Sequence, residues 1–186
     1  SNNLIKADDG CVYSNGLRVN ETEEWKQYTG SFIDGRFLID FYTPEEYFTF
    51  IGKVYNISTE TINQRLENYS SLMHDEILGT KKYIRDFSEG NRQKIGIIGA
   101  MIINPEVLIL DEPFNYLDPS SQINIAKMIQ GACHEFGMTV ILSSHNLNFV
   151  SDISTRILLL EKGLVIKDLK NEEGSAMKEL EEYFGA

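Results

Sequence analysis

Two adjacent carboxylates follow an apolar run in this sequence. Residues 107–110 are Val-Leu-Ile-Leu, and Asp111 and Glu112 come directly after them. Such a run predicts a buried strand, and ligands of open α/β sheets bind at the carboxyl ends of the strands. One carboxylate at that place can hold Mg²⁺ through water, and the next can orient an attacking water or accept its proton. An acidic turn without chemistry has the same pattern, so the pair alone leaves both interpretations open.

Two further segments carry polar groups that could act beside this pair. Ser88 and Gly90 stand at the predicted start of a helix, where free amide groups and the helix dipole favour an anion. Ser88 could also serve as an ordinary helix cap. His145 lies just after a second predicted buried strand, residues 139–142, and its ring could donate to a phosphate oxygen. The pattern therefore indicates a phosphate site next to the carboxylates.

Four segments, in this order, resemble motifs of the nucleotide-binding domain of ATP-binding cassette (ABC) proteins. Residues 87–91, Phe-Ser-Glu-Gly-Asn, are similar to the signature motif of that family. Residues 107–112 are similar to its Walker B segment with the adjoining glutamate. Residues 116–118, Tyr-Leu-Asp, resemble the D-loop, and His145 resembles the switch histidine. The resemblance covers most of the chain, and the shared order and spacing of four motifs make it specific.

The resemblance implies a role for each of these residues toward ATP and Mg²⁺. Glu112 would polarise the attacking water and His145 would stabilise charge on the γ-phosphate, both as catalytic residues. Asp111 would order Mg²⁺, and Asp34, near the place of the family's Q-loop glutamine, is a second candidate ligand. The contacts to ATP, mostly made across a dimer of two such domains, would come from the signature motif and the D-loop: Ser88, Glu89, Gly90, Asn91 and Asp118.

The sequence departs from the family pattern at three places. It contains no G-x-x-x-x-G-K-[ST] loop, whose amides and lysine would cradle the ATP phosphates. We therefore expect an N-terminally truncated domain that is inactive alone and whose uncovered sheet edge favours self-association or partial disorder. Asp34 lacks the amide donor of a glutamine. Glu89 replaces a glycine, and its carboxylate would repel a triphosphate unless the side chain points away.

The predicted elements place these residues in an α/β fold. Strands and helices alternate over residues 87–186, which predicts a largely parallel sheet. Thr43 and Glu46 form a capping-box pair around Pro44, so a helix is expected to begin there. The resemblance implies a mainly parallel sheet of the P-loop-NTPase type, flanked by helices, with an inserted α-helical subdomain and an incomplete N-terminus.

We interpret residues 1–186 as one partial ABC ATPase domain with three zones. Residues 1–42 are the residual β-rich part with the Q-loop region, and residues 43–86 are the helical subdomain. Residues 87–186 hold the signature, Walker B, the D-loop, the switch histidine and the C-terminal part. The subdomain would relay closure of the dimer to a membrane partner.

The composition limits the classes of partner. The 186 residues include 17 basic and 28 acidic side chains, a formal net charge of −11, whereas proteins that coat nucleic acid need clustered Lys and Arg. The longest apolar run, residues 95–103, is too short to span a bilayer. Two cysteines, Cys11 and Cys133, without paired spacing favour a reducing compartment. These features predict a cytoplasmic protein that does not bind nucleic acid.

The resemblance implies an ATP-binding and ATP-hydrolysing subunit of an ABC transporter. It would pair with a second nucleotide-binding domain as a homodimer and couple hydrolysis to transport through a separate transmembrane permease, peripheral on the cytoplasmic face of the membrane. Residues 47–58 resemble the exporter type of ATPase. Two alternatives stay open: a soluble ABC ATPase outside transport, and a non-catalytic interaction module without a P-loop.

Overall fold

The computed structural model describes residues 7–172 and 174–185, apart from the side chains of residues 74 and 75. The start of the predicted first zone, residues 1–6, lies outside this part. A short antiparallel hairpin opens the described chain, with β1 (Tyr13–Ser14) paired to β2 (Leu17–Arg18). Asn15 and Gly16 between them have positive φ angles of 46° and 76°, as a two-residue turn of this kind requires. Asn-Gly between short apolar segments predicts such a hairpin from the sequence, and the structure confirms it.

Three parallel strands form the sheet that carries the candidate site. They are β3 (Thr29–Phe32), β4 (Val107–Asp111) and β5 (Thr139–Ser143), in the order β3-β4-β5. The register pairs Phe32 with Leu110 and Asp111 with Ser143. The predicted parallel α/β sheet and the central place of the strand before Asp111 are confirmed.

The chain between β3 and β4 forms four helices: α1 (Pro44–Val54), α2 (Thr59–Glu67), α3 (Ser70–Ile77) and α4 (Glu89–Met101). The predicted capping box precedes α1, since Thr43 and Glu46 each accept the backbone N–H of the other. The apolar spacing from Ile62 to Met73 predicts one helix that starts at Ser58 or Thr59, whereas the structure divides this stretch into α2 and α3. The amides of Asn68 and Tyr69 bond to carbonyls three residues back, which tightens the last turn and ends α2.

One face of the sheet is covered by these helices. Phe48, Ile62, Ile98 and Leu108 are fully buried in the core between them. A Cβ atom at Gly96 of α4 would lie 2.0 Å from the ring of Phe32, so only glycine allows this close approach of α4 to β3.

The chain after β4 contains three helices and a second hairpin. Its elements are α5 (Pro119–Phe136), α6 (Leu147–Ile153), β6 (Arg156–Glu161), β7 (Leu164–Lys170) and α7 (Ala176–Phe184). The sequence predicts a helix from Asp118-Pro119 to about Phe136 with Gly137 beyond its end. The structure confirms these limits, because Asp118 caps the start of α5 and Gly137, with φ 64°, ends it. No helix in the described ranges has the length and apolar character needed to cross a membrane.

The expectation that β5 is a buried strand was wrong. Ile141 is 57% exposed, and the side chains of β5 alternate between exposed and half-buried. The strand forms the edge of its sheet, since its only described neighbour is β4. The apolar run therefore predicted the strand correctly, but it did not predict how far the side chains of the strand are exposed.

Candidate functional site

The ends of β4 and β5 hold Asp111 against Ser143. Ser143 Oγ donates a hydrogen bond to the Asp111 carboxylate. The backbone N–H of Glu112 donates to both the carbonyl oxygen and the Oγ of Ser143, each at 3.1 Å. Glu112, the first residue after β4, is thus held by hydrogen bonds to Ser143, the last residue of β5. Ser143 had no role in the sequence interpretation, although it directly precedes Ser144 and His145.

Glu112 and His145 meet at this edge of the sheet. Oε2 of Glu112 lies 2.9 Å from Nδ1 of His145. The oxygen is buried and receives no hydrogen bond of regular geometry from any described residue. The contact is an ion pair only with a protonated ring, because a neutral imidazole carries no charge. The His145 side chain is 76% exposed and that of Glu112 is 33% exposed. A carboxylate with free acceptor capacity beside an accessible imidazole can take a proton from a bound molecule.

The backbone of Glu112 is held in an unusual conformation. Its φ angle is 46°, in the left-handed region that a residue with a Cβ atom occupies at a cost of about 1–3 kcal/mol. Its carbonyl oxygen accepts a hydrogen bond of 3.0 Å from Nε2 of Gln93, a buried residue of α4. Gln93 was also missed from the sequence, because nothing local to it indicates a partner nineteen residues away.

The segment that resembles the signature motif forms the start of α4. Ser88 caps the helix, with Oγ accepting the N–H of Asn91 at 3.3 Å. A Cβ atom at Gly90 would lie 2.6 Å from the carbonyl oxygen of Tyr116. Glycine at this position therefore lets the segment pack against the loop between β4 and α5.

An open cleft of about 300 Å³ lies between these two segments. Its walls come from α3, α4 and the loop before α5: Glu76, Ser88, Gly90, Asn91, Lys94, Tyr116, Leu117 and Asp118. Lys94 is 8% exposed and no described acidic side chain forms an ion pair with it. Lys94 and the amides at the start of α4 are groups that can contact an anion, whereas Glu76 and Asp118 bring two carboxylates to the same cleft.

Asp118 lies on the wall of the cleft and also has a structural role. It accepts hydrogen bonds from the Ser120 hydroxyl at 2.6 Å, the Ser121 hydroxyl at 2.5 Å and the Ser121 amide at 3.0 Å. The two hydroxyls, followed by the amide, hold the pKa of this carboxyl well below its usual range. Asp118 therefore remains ionised at neutral pH as the cap of α5.

Glu89 is directed away from the cleft. Its Oε1 lies 3.8 Å from Nη1 of Arg92, and the residue is not part of the cleft wall. The structure thus meets the condition under which a carboxylate at this position does not repel a bound anion.

Asp34 is engaged locally and is not joined to the other candidates. Its carboxylate caps the 3₁₀ turn Gly35–Phe37 and pairs with Arg36 at 2.8 Å. Hydrogen bonds from the Arg36 side chain and then from its amide lower the pKa of Asp34. The register of β3 places it at the same end of the sheet as Asp111, but its described partners do not include that residue.

Binding of Mg²⁺ depends on the oxygen ligands that the described residues offer. In the described part of the chain, no group of three or more His, Cys, Asp or Glu side chains could hold a metal ion. Mg²⁺ commonly takes one or two carboxylates and completes its shell with water and substrate phosphates. Asp111, with an oxygen-only neighbour in Ser143, fits that type of site.

Sequence comparisons relate the chain to ATP-binding proteins of transporters. A family model described as "AAA domain, putative AbiEii toxin, Type IV TA system" matches residues 14–151. The methionine import ATP-binding protein MetN of Campylobacter jejuni is 36% identical over 121 residues, which are 63% of this chain and 35% of that protein. An uncharacterised ABC transporter ATP-binding protein of Synechocystis, sll0415, is 31% identical over 178 residues, 92% of this chain and 50% of that protein. The chain thus spans between a third and a half of these relatives.

Solved structures share the fold. An ATP-binding subunit of an ABC transporter superimposes with a TM-score of 0.82 at 22% identity, over 98% of this chain and 73% of that one. The ATP-binding cassette MJ0796, a dimer bound to ADP and Pi, gives a TM-score of 0.78 at 22% identity, over 91% of this chain and 76% of that one. The chain belongs to the AAA-domain family of the matched model; it is similar in sequence to ATP-binding proteins of ABC transporters and has the fold of their solved structures.

Proposed function

We propose that this chain provides the Walker B, switch and signature parts of a domain that hydrolyses ATP in an ABC transporter. The observation that carries the proposal is the 2.9 Å contact between Glu112 and His145 at the carboxyl ends of two adjacent parallel strands. Asp111 stands beside them at the last position of β4. A base, a donor and a metal-binding carboxylate at one edge are what phosphoryl transfer to water requires.

In this function the residues act on ATP by position and charge. Glu112 orients the attacking water and accepts its proton through its carboxylate, since the side chain is 33% exposed at the end of β4. His145, largely exposed, donates to an oxygen of the γ-phosphate. Asp111 would hold Mg²⁺, whose charge neutralises that developing on the phosphates.

The cleft at the start of α4 is proposed to bind the γ-phosphate of ATP on a second nucleotide-binding domain. Ser88, Gly90 and Asn91 line it together with the buried Lys94, and Asp118 lies at its rim as the link between the two sites of the dimer. Glu89 belongs to the same segment but contacts Arg92 instead. The dimer of the MJ0796 cassette supports this arrangement.

The test of the base is Glu112→Gln in the intact protein. Loss of the carboxylate removes proton acceptance, so we expect ATP hydrolysis to fall by about 10²- to 10⁴-fold while ATP binding is kept. Glu106→Gln is the matched control, because that exposed glutamate stands at the opposite end of β4. Hydrolysis that survives in Glu112→Gln would reject the proposed function.

The test of the signature segment compares two helix caps. Ser88 and Thr43 each accept the N–H three residues on at 3.3 Å, so Ser88→Ala and Thr43→Ala should each lower the free energy of unfolding by about 1 kcal/mol. Only Ser88→Ala should also lower the rate of hydrolysis, because only Ser88 lines the cleft. Equal rates in the two variants would show that Ser88 is a cap and nothing more.

A transmembrane permease is the proposed partner, on the cytoplasmic side of the membrane. Residues 43–86 are proposed as the helical subdomain that contacts it. Phe37, Phe41 and Phe50 expose 70%, 65% and 40% of their area, beside an open cleft along α1. The exporter type stays a prediction, and one relative is named as a methionine import protein. Co-purification of a membrane protein that is lost in Phe41→Ser but kept in Phe136→Ser, at the exposed last residue of α5, would support this surface.

A soluble ABC ATPase outside transport is the second candidate. The description of the matched family model names a toxin of a type IV TA system and no transporter. Hydrolysis by a preparation free of any membrane protein, together with wild-type activity of Phe41→Ser, would favour this candidate. A non-catalytic module has less support, because it has no need for the contact between Glu112 and His145.

A further inference from the structure

We propose that Gln93 is a positioning residue that holds the peptide of Glu112 in the left-handed conformation from which its carboxylate reaches His145. The inference rests on the proposed function, since it assigns the residue that positions the proposed base. It concerns a side chain in the second turn of α4 that contacts the backbone of Glu112 and no reacting group.

The two peptide groups that flank the Cα atom of Glu112 are each held by hydrogen bonds. Its N–H donates to Ser143 of β5, and its carbonyl oxygen accepts from Nε2 of Gln93 at 3.0 Å. Gln93 is only 6% exposed, so water cannot readily replace this donor. The two hydrogen bonds offset the unfavourable φ of 46°.

Gln93 lies two residues after the signature segment, residues 87–91. It belongs to the helix α4 that this segment begins. Nη2 of Arg92 donates to the carbonyl oxygen of Gly35 and to Oδ1 of Asp40, both at 2.9 Å. The start of α4 is therefore fixed to residues 35–40 on one side and to Glu112 on the other.

The position of the signature segment is therefore coupled to the conformation of Glu112 within one chain. A displacement of the signature segment moves Gln93 with it, because a helix transmits a shift along its rigid axis. The carbonyl of Glu112 then loses its donor, and φ can return to the ordinary region. The carboxylate would leave the side of His145, so the base would be in place only when the signature segment is in place.

The experiment uses the intact protein and two variants of Gln93. Gln93→Met keeps the length of the side chain and removes the amide, and we expect kcat to fall about 10- to 100-fold with KM for ATP changed less than about two-fold. Gln130→Met is the matched control, since Nε2 of Gln130 donates to the backbone of Asp152 at 3.1 Å, away from the site.

Gln93→Glu adds a readout that a structural role would not produce. Burial raises the pKa of a carboxyl group, and the protonated form can donate to the carbonyl of Glu112 as the amide does. The variant should approach wild-type kcat at low pH and lose it as the introduced carboxyl ionises. This pH profile also serves as the test if Gln93→Met does not fold.

The outcomes separate the inference from the function on which it rests. If Glu112→Gln abolishes hydrolysis while Gln93→Met keeps wild-type kcat, the positioning role is overturned and the proposed function stands. If Glu112→Gln hydrolyses ATP normally, the proposed function fails and the inference with it. In the double variant, Gln93→Met should add no further loss to Glu112→Gln, and an equal additional loss would instead indicate a general structural effect.

Discussion

Similar apolar side chains are buried in one region of the molecule and exposed in another. The helical region comprises α1 to α4, and the hairpin region comprises β5 to β7. In the helical region, Phe48 and Ile62 are completely buried. In the hairpin region, Ile141, Leu160 and Leu164 are 57%, 63% and 68% exposed. Both regions are rich in apolar residues, so composition does not distinguish them. The difference shows that burial depends on which elements stand opposite a face, since an apolar strand without a covering layer stays exposed.

The largest expected effect contrasts a buried side chain of the helical region with an exposed one of the hairpin region. Phe48→Ala should lower the free energy of unfolding by about 3–5 kcal/mol, because it leaves a cavity in a fully packed site. Leu160→Ala should change it by less than about 0.5 kcal/mol, as for other exposed positions. Urea denaturation of both variants measures the contrast. A large loss in Leu160→Ala would mean that the face of the hairpin is covered in solution.

Alkaline pH should affect the helical region next most strongly. Burial raises the pKa of Tyr47 to about 12, whereas an unfolded tyrosine ionises near pH 10. The stabilising contribution of the neutral phenol is complete below about pH 10 and is lost as the pH rises to about 12, by about 2–3 kcal/mol. The free energy of unfolding in urea at pH 8 and pH 12 measures this loss.

Tyr47→Phe is the control for the alkaline prediction. The variant has no ionisable group at this position, so it should show a weaker decline between pH 10 and 12. Burial also raises the pKa values of Tyr55 and Tyr69, which leaves part of the decline in place. A decline as steep as that of the wild type would contradict the role given to Tyr47.

The smallest effect is expected on association in solution. The sequence predicted self-association from an uncovered sheet edge, and the exposed side chains of β5 to β7 are the surface on which it would depend. Leu160→Lys should lower the apparent mass at high concentration in sedimentation velocity, relative to the unmodified chain. A wild-type chain that sediments as a monomer at every concentration would contradict this prediction.

Much of the fold could be predicted because its signals are local. Asn15-Gly16 predicted the first hairpin, Thr43 with Glu46 predicted the start of α1, and Asp118 with Gly137 predicted both ends of α5. Each of these signals acts within a few residues, through a cap or a turn. The exposure of β5 was not predicted, because it depends on which elements pack against its faces. The end of α2 at Asn68 was also not predicted, although the hydrogen bonds that end it are local.

The candidate site was predictable in its residues and not in their contacts. The strand before Asp111 and the order of the motifs placed Glu112 and His145 at one sheet edge, where the structure brings them to 2.9 Å. Asp34 was expected beside Asp111, whereas it caps its own turn through Arg36. Gln93, Lys94 and Ser143 were not found, because a glutamine, a lysine or a serine gives no signal of a partner far along the chain.

The sequence by itself determined the strands, the helix caps and the family, since these follow from neighbouring residues and ordered motifs. The tertiary structure alone decided that Gln93 holds the carbonyl of Glu112 and that Gly90 packs against Tyr116. It also decided that the apolar face of the hairpin region stays exposed while that of the helical region is buried. The physical reason is that hydrogen bonds and burial between distant residues depend on the relative placement of whole elements, which no local pattern specifies.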